Sequence, residues 1–417
     1  MSYLYSDTTQ IKLADSPLGD AFGRVRVSEP QTTFDSQLQY DKQPLLWDEK
    51  IVGTASSTHL PNESSVRMEV GSTTGDRIIR QTREYFRYQP GKSHLIMMTY
   101  AFDQPSAGTR KLVGYGDDQN GIFIGQDDGG IFVLLRSFST GSVDDSRKVY
   151  QQDWNIDRLD GTGASRYTLN PASTQIFFTD IEWLGVGRVR VGLVIDGKIC
   201  YVHEYNNANE RTSVYMTTAN LPCRYELTNL AGEAAASMKQ ICAQVSSEGG
   251  LSTTLAYPFS QPLMNVPIPS GEENAVLVFA TRHAATFNGV TNRTAFIPNG
   301  FEILSSGAQV VAQIVYNPTI VTTGWAPANP SSIMEATTFA QVTSWTGGQR
   351  VNTTIMPAVE AEGPRASVSP VFGKTITSRL PFGLGIDGDD PIALAMIAYS
   401  VGETAIASFS FSWEELR

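Results

Sequence analysis

Apolar residues along the chain fall in short runs of strand length. Residues 94–102 are apolar almost without interruption. Two shorter apolar runs, 121–125 and 131–135, flank the turn-forming residues 127–130. Runs of this length, rich in Val, Ile, Phe and Tyr and separated by Gly and Asp, are typical of consecutive antiparallel strands. The pattern therefore predicts an all-β protein.

A β-hairpin is the clearest single element in the sequence. Residues 188–195 and 198–205 are two strand-like runs separated only by Asp196 and Gly197. Asp-Gly is a strong hairpin signal, because both turn positions need a positive φ. Residues 233–243 allow two interpretations, since their alanines favour a helix and their neighbours favour a strand that closes the sheet. We prefer the strand.

The chain divides into three parts. We predict an extended N-terminal arm over residues 1–84, a central β-sandwich over 85–254 and a second β-sandwich over 255–417. Gly249 and Gly250 mark the second boundary, because Gly and Pro interrupt regular structure. Four prolines follow this glycine pair and support the same boundary: Pro258, Pro262, Pro267 and Pro269.

The first 84 residues are polar, with isolated strand-like pieces. Val25 and Val27 alternate with Arg24 and Arg26, as in a half-buried strand, and Pro30 ends the piece. Such a segment can add a strand to the sheet of a neighbouring subunit. Alternatively, its strands belong to the first sandwich of the same chain. We prefer docking, and the predicted docking residues are Phe22, Arg24, Val25, Arg26, Val27, Phe34 and Trp47.

The amino-acid composition limits the kinds of partner that this protein can bind. Hydrophobic residues make up 41% of the chain and charged residues only 18%, below the usual quarter. A surface with so few charges suits a subunit that is largely covered by its neighbours. The net charge of −11 argues against nucleic-acid binding, which needs clustered Lys and Arg.

Neither a disulfide framework nor a membrane segment is predicted. Cys200, Cys223 and Cys242 are odd in number and far apart, which favours buried free thiols and no zinc ribbon. No apolar stretch approaches the roughly 18 residues that span a membrane. The N-terminus lacks the features of a secretory signal. We therefore expect the protein to be made in a cytoplasm.

The sequence favours a protein that is not an enzyme. Asp180 and Glu182 share one face of a strand beside Trp183, as catalytic acids of sandwich glycosidases do, but no third acid follows at Val186 or Gly187. A solvated polar face is the preferred interpretation. The acidic loops 117–121, 127–130 and 387–390 are interpreted as turns rather than calcium sites. No cofactor or metal is expected.

Sugar recognition remains possible at two places. It would use aromatic rings beside polar side chains in a cleft formed by loops. Such residues occur at 154–155 and at 205–209. In the alternative interpretation, the asparagines cap turns and the aromatic rings fill the core. The candidate contacts are Trp154, Tyr205, Asn206, Asn207 and Asn209.

Five motifs resemble a group of structural proteins of tailed phages, often marine ones. The motifs cover the following residues: 23–30 with Phe34 and Asp35, 160–165, 183–190, 203–209 and 247–250. The resemblance extends over roughly residues 15–50 and 80–255, and no motif in the C-terminal third carries it. It implies a concanavalin-like jelly-roll sandwich for the central domain.

The resemblance implies a virion structural component of a tail, baseplate or fibre. Its partners would be other virion subunits, and a homo-oligomer, by class a trimer, is expected. Two alternatives stay open. The first is a capsid decoration or head-fibre protein. The second is an adhesin or depolymerase that binds a host surface glycan.

Overall fold

The fold is all-β, as the apolar pattern predicts. The computed structural model describes residues 29–250, 256–357 and 381–417, together with the backbone of Ser367–Val368. Within these residues there are β-strands and three single-turn 3₁₀ helices but no α-helix. The three turns are Pro61–Glu63, Gln151–Asp153 and Glu272–Asn274. The strands pair in an antiparallel manner within every sheet.

The first domain contains the strands up to Ser247. In chain order they are β1 (Gln31–Gln37), β2 (Trp47–Val52), β3 (Ser56–Leu60), β4 (Ser65–Val70), β5 (Arg77–Thr82), β6 (His94–Ala101), β7 (Thr109–Gly116), β8 (Gly121–Asp127), β9 (Gly130–Ser137), β10 (Asp144–Tyr150), β11 (Gln175–Ile181), β12 (Val189–Ile195), β13 (Lys198–Tyr205), β14 (Cys223–Asn229) and β15 (Ala236–Ser247).

These strands form two sheets packed face to face. The eight-stranded sheet has the order β13-β12-β11-β6-β15-β4-β3, with β1 also paired to β15, and the seven-stranded sheet has the order β10-β9-β8-β7-β14-β5-β2. The chain crosses between the sheets eight times, at β1 to β2, β2 to β3, β4 to β5, β5 to β6, β6 to β7, β10 to β11, β13 to β14 and β14 to β15. Side chains from both inner faces make one continuous core. The domain is thus a jelly-roll sandwich.

The predicted arm of residues 1–84 is wrong from residue 31 onward. β1 pairs with β15 and β2 pairs with β5, so this segment completes both sheets of its own sandwich. Phe34 and Trp47, predicted to dock elsewhere, are buried with ring centroids 6.0 Å apart. The Trp47 indole N–H donates to Ser36 Oγ at 2.8 Å. Alternating apolar and polar residues indicate that one face of a strand is buried. They do not indicate whether the same chain or another subunit covers that face.

The other predicted docking residues belong to the part of the chain before residue 29. Phe22, Arg24, Val25, Arg26 and Val27 lie outside the described residues. Their role as a docking segment stays a prediction.

The hairpin and the ambiguous segment both form as predicted. β12 and β13 are joined by Asp196 and Gly197, whose φ values are 50° and 71°. Positive φ at both positions is what a tight hairpin turn of matching twist requires. Residues 233–243 contribute to β15, which pairs with β6 along one edge. The alanines of β15 face the core, where small side chains fit between larger ones.

Glycines within the strands make room for aromatic rings on the outer face of the seven-stranded sheet. Phe123, Phe132, Leu112 and Leu134 form a small buried cluster there. A Cβ at Gly125 would lie 2.4 Å from the Phe132 ring, closer than real contacts allow. The ring therefore lies flat over the backbone, and this explains a glycine in the middle of a central strand.

The second domain contains the remaining strands. In chain order they are β16 (Tyr257–Ile268), β17 (Val276–His283), β18 (Thr286–Phe287), β19 (Val290–Thr291), β20 (Ala295–Ser306), β21 (Gln309–Tyr316), β22 (Thr319–Thr322), β23 (Ala326–Pro327), β24 (Met334–Thr338), β25 (Val342–Thr346), β26 (Gln349–Met356), β27 (Ser367–Val368), β28 (Ala393–Val401) and β29 (Ala405–Leu416).

This domain is a sandwich with an extra layer. A four-stranded sheet, β16-β29-β20-β27, packs on a six-stranded sheet, β23-β24-β17-β28-β21-β26. The other face of the six-stranded sheet carries a second small core, covered by the two-stranded sheet β22-β25. The pair β18-β19 forms a separate short hairpin. The last strand, β29, lies between β16 and β20 and pairs with both.

The prolines expected to mark the domain boundary lie mostly inside a strand. Pro258, Pro262 and Pro267 belong to β16, while Pro269 follows it. β16 is at the edge of its sheet, where a proline, which has no backbone N–H, removes no essential ladder bond. The prolines therefore indicate an edge strand rather than a linker between domains.

Residues 381–392 belong to the second domain and lie against the first domain. Lys50 of β2 forms an ion pair with Asp387 of this segment. The Arg293 guanidinium donates to the carbonyls of Leu384 and Gly385 at 3.0 and 2.9 Å. The same guanidinium lies 4.3 Å from the ring centroid of Tyr85 in the first domain. Ionic, hydrogen-bonding and cation–π contacts thus hold the two sandwiches together.

Buried histidines make the fold sensitive to acid. Burial lowers the pKa of His94 and of His283 from 6.5 to about 4, so both are neutral in the folded protein. The unfolded chain binds protons below about pH 6.5, and the folded chain only near pH 4. Stability is therefore fully present above 6.5 and lost as the pH falls from 6.5 towards 4. We expect a loss of up to about 2 kcal/mol per histidine at about pH 5, measured by urea unfolding.

The matched control for this prediction is His94→Phe. Neither ring nitrogen of His94 has a hydrogen-bond partner among the described residues, so Phe keeps the packing and removes the proton site. The variant should lose less stability than the wild type between about pH 7.5 and pH 5. An equal loss in both proteins would contradict the assignment.

Candidate functional site

A shallow groove lies at the end of the β12-β13 hairpin, beside β10. Its volume is about 300 Å³. It contains two of the predicted glycan contacts, Tyr205 and Asn206. The lining residues are Arg147, Val149, Asn155, His203, Glu204, Tyr205, Asn206 and Glu210. Most of them are polar, and they come from three separate parts of the chain.

Tyr205 forms the rigid base of the groove. Its hydroxyl donates to the Arg147 carbonyl at 3.0 Å, and its ring meets the His203 ring edge-to-face with centroids 4.5 Å apart. The Arg147 guanidinium lies 4.8 Å from the Tyr205 ring centroid, a cation–π contact. The Arg147 Nη1 also donates to Asn207 Oδ1 at 2.5 Å. Four interactions therefore fix the aromatic ring and the cation.

His203 is neutral in the groove. Burial and the nearby Arg147 lower its pKa to about 4. The backbone N–H of Asn155 donates to His203 Nδ1 at 3.3 Å, so the ring proton is on Nε2. A neutral imidazole in this tautomer can donate one hydrogen bond but does not supply a proton as a general acid near neutral pH.

Amide and carboxylate groups form the rim. Asn155 exchanges two hydrogen bonds of 2.9 Å with the backbone of Glu204, which fixes its amide plane. The exposed Asn206 donates to the Glu204 carboxylate at 3.1 Å. Glu210 also lines the groove and is exposed. The rim thus carries both hydrogen-bond donors and acceptors beside an aromatic base, a combination that suits hydroxyl groups.

Three of the predicted contacts do not line the groove. Trp154 is buried and its indole N–H donates to the Val149 carbonyl at 3.2 Å. Asn207 is also buried and donates to the Gly187 carbonyl at 2.7 Å. These two residues support the groove from behind, and predicting them as contacts was wrong. Asn209 is exposed with φ of 64°, a conformation that asparagine tolerates in turns.

Sequence reasoning missed several lining residues. Arg147 lies on β10, whose residues are mostly polar and gave no strand pattern. His203 and Glu204 are next to the predicted Tyr205, and their shared hairpin strand was the signal available. The contribution of β10 becomes visible only from its pairing with β9.

Asp180 and Glu182 do not form a facing pair of acids. Asp180 makes an ion pair with Arg190 and accepts a 3.4 Å bond from the Tyr201 hydroxyl. Glu182 is exposed and follows the end of β11. The Trp183 indole donates to the Met216 carbonyl at 3.3 Å. The three side chains therefore make separate contacts instead of a common cleft.

A second polar cluster covers the outer face of the seven-stranded sheet. Glu226 of β14 is completely buried and bonded to Arg224, Arg77 and Arg110 at 2.8, 3.0 and 3.4 Å. Burial raises the pKa of Glu226, but the three guanidinium groups outweigh burial and hold the pKa well below its usual range. Asp118 closes the cluster through Arg224 and Arg77 at 2.6 and 2.8 Å. The two acids and three arginines of this cluster are thus all paired with one another.

Acidic loops serve as turns. Asp117 Oδ1 accepts backbone N–H bonds from Gln119 and Asn120, and Asp127 accepts one from Gly129. In the described part of the chain, no three His, Cys, Asp or Glu side chains are grouped to hold a metal. No helix within the described ranges is long and apolar enough to cross a membrane.

Comparison with known proteins gives only distant similarities. No protein-family model and no curated protein matches the chain. Peanut lectin with a bound 9-residue peptide aligns over 54% of this chain and all of its own, with 10% identity and a TM-score of 0.34. The carbohydrate recognition domain of Emp47p aligns over 56% of this chain and all of its own, with 11% identity and a TM-score of 0.32.

One similar structure comes from a phage. The conserved carbohydrate esterase of the Shiga toxin-encoding bacteriophage phi24B aligns over 53% of this chain and all of its own, with 8% identity and a TM-score of 0.33. At such low identities and TM-scores, these similarities carry no argument about function. The proposals that follow depend on the residues of this chain.

Proposed function

We propose that this protein is a structural subunit of a tailed-phage virion, in the tail, baseplate or fibre assembly. The observation that supports this role best is the direct contact between the two β-sandwiches at residues 381–392. The contact includes the ion pair of Lys50 with Asp387 and the cation–π contact of Arg293 with Tyr85. A continuous body of antiparallel sheets with few charged residues suits a spacer that is held between neighbouring subunits. The motifs shared with tailed-phage structural proteins point the same way.

The proposed partners are other virion subunits and further copies of this chain. Docking is assigned to residues 1–28, with Phe22, Val25 and Val27 as its apolar contacts. The described strands β1 and β2 complete their own sandwich, so they are not part of this proposal. A trimer is expected by class.

The proposed role is not enzymatic. The carboxylates that are best placed on the sheets are engaged by cations: Asp180 by Arg190, and Glu226 by three arginines. A general acid must hold a proton near the working pH, and the arginines keep Glu226 ionised. Hydrolysis of a host polysaccharide by the purified protein, lost in Asp180→Asn, would contradict this assignment.

Localisation in the purified particle tests the structural role. A small label on Arg417 should be seen by electron microscopy at the tail end of the virion. Label spread over the shell would instead support a capsid decoration or head-fibre protein. Particles that carry no label would refute the virion assignment.

Deletion of residues 1–28 tests the docking segment. The truncated chain keeps Phe34 and Trp47, so we expect it to be folded and soluble but absent from particles. Thermal unfolding of the truncated protein serves as the folding control. Normal incorporation of this folded, truncated protein would contradict docking by residues 1–28.

Binding of a host surface glycan is a second candidate function. The observation that favours it is the groove with Tyr205 at its base and the fixed amides of Asn155 and Asn206 at its rim. Each rim amide can form hydrogen bonds with sugar hydroxyls, and a net bond contributes about 1 kcal/mol. Of the two glutamates that line the groove, Glu204 already accepts a hydrogen bond from Asn206, and the proposed role of the groove is binding.

Matched asparagine variants test glycan binding. Asn206→Ala should weaken binding to isolated host surface polysaccharide about five- to tenfold, measured by biolayer interferometry. Asn209→Gly is the control, because Asn209 is exposed on the same loop but does not line the groove, and glycine adopts its φ of 64° without strain. Equal binding by both variants would exclude this groove as the glycan site.

A further inference from the structure

The second domain contains another groove, which the sequence analysis did not single out. Its volume is about 430 Å³, and it lies where β25 turns into β26. The lining residues are Val315, Trp345, Thr346, Gly347, Gly348 and Arg350. One aromatic ring, one cation and an exposed backbone turn thus meet at one place.

Trp345 supplies a half-buried, fixed aromatic surface. It packs on the small core beneath the β22-β25 sheet, and it also lines the groove. Its indole N–H donates to the Ala275 carbonyl at 3.1 Å, so the polar atom of the ring is already satisfied. A ring held in this way offers its face to a ligand and pays little conformational entropy on binding. The C–H groups on one face of a hexose can pack against such a ring.

Gly347 and Gly348 shape the adjoining wall. Both have positive φ, 67° and 79°, a conformation that glycine adopts without strain, and they carry the chain from the two-stranded sheet to the six-stranded sheet. A Cβ at Gly348 would lie 2.9 Å from the backbone of both Tyr316 and Pro318. The turn therefore stays free of side chains, and its peptide groups border the groove directly.

Arg350 and Glu272 bring hydrogen-bonding groups of both kinds to the rim. They form an ion pair of 2.8 Å, and both side chains are about half exposed, at 52% and 50%. Vicinal hydroxyl groups of a sugar can donate to the carboxylate while they accept from the guanidinium. The pair is electrically neutral, and the whole chain carries a charge of −11. A neutral sugar is therefore a better match than an acidic one.

We infer that this groove is a second saccharide site, which binds a neutral hexose chain against Trp345 with its hydroxyl groups on the Arg350–Glu272 pair. The inference does not rest on the function proposed above. It concerns a different domain and different residues from the groove at Tyr205. A chain with two saccharide sites would bind a polysaccharide surface with avidity even if each site is weak.

Titration of the full chain with three probes tests this site. Maltohexaose, cellohexaose and mannohexaose are added separately, and intrinsic tryptophan fluorescence is recorded. We expect a saturable change with at least one probe. Arg350→Ala should raise the Kd for that probe at least tenfold, because a bond to a charged group contributes about 1.5–3 kcal/mol. Thr343→Ala is the control on the preceding strand β25, since Thr343 is exposed but outside the groove.

The variants separate the two grooves. Asn206→Ala should leave the titration unchanged, and Trp345→Phe should remove most of the fluorescence change. Absence of a saturable change with all three probes would overturn the inference. So would a Kd that is unaffected by Arg350→Ala, or a response that only Asn206→Ala abolishes. Tighter binding of polygalacturonate than of any neutral probe would overturn the assigned sugar class.

Discussion

Trp47→Ala should destabilise the first domain by about 3–5 kcal/mol, the usual cost of removing a large aromatic residue from a core. Trp47 is only 1% exposed, and its ring lies 5.8 Å from the Tyr225 ring and 6.0 Å from the Phe34 ring. The substitution also removes the indole donor to Ser36. Urea unfolding, followed by circular dichroism, measures the effect as a lower transition midpoint.

Leu45→Ala is the matched control for this prediction. Leu45 lies two residues before Trp47 and is 42% exposed, so its loss should change the midpoint little. Similar midpoints for both variants would show that this segment is not part of the core. For the same reason, deletion of residues 1–50, which also removes Phe34, should prevent the first domain from folding.

Glu226→Ala should cost about 3–5 kcal/mol, because it leaves buried arginines without their counter-ion. Arg224 is 1% exposed and donates to Glu226 from both Nε and Nη2, at 3.0 and 2.8 Å. Asp118 still pairs with Arg224 after the substitution, so part of the compensation remains. The loss should appear in the urea midpoint of the first domain at neutral pH.

Glu63→Ala is the control, because it removes an exposed ion pair instead of a buried one. Glu63 pairs with Lys239 at 2.6 Å, and its side chain is 47% exposed. Surface pairs of this kind contribute little to the free energy of unfolding. If Glu226→Ala were no more destabilising than Glu63→Ala, the buried network would contribute little to the fold.

Much of the fold could be predicted from local patterns. Asp196 and Gly197 determine a turn by their conformational preferences, and the flanking runs determine the register of the hairpin. The arm was a different problem, because Phe34 and Trp47 looked like isolated apolar residues in a polar segment. Their partners, such as Tyr225, lie more than 150 residues further along the chain. No local pattern reports contacts of that separation.

The candidate site was predicted in part. Tyr205 and Asn206 line the groove, but the neighbouring Asn207 and the nearby Trp154 are buried behind it. The residue types at 205–209 suggest sugar contacts but do not distinguish one position from another. Which of these side chains are exposed depends on how the β12-β13 hairpin packs beside β10. The groove at Trp345 could not be predicted, because it exists only where the β25-β26 turn passes over the six-stranded sheet.

The prolines of β16 have a consequence for how the protein behaves before assembly. Open sheet edges expose unpaired backbone groups, with which strands of other chains can pair. Pro258, Pro262 and Pro267 offer no N–H group, so a foreign strand gains few bonds along this margin. This edge of the second domain is therefore a poor template for pairing with a strand of another chain.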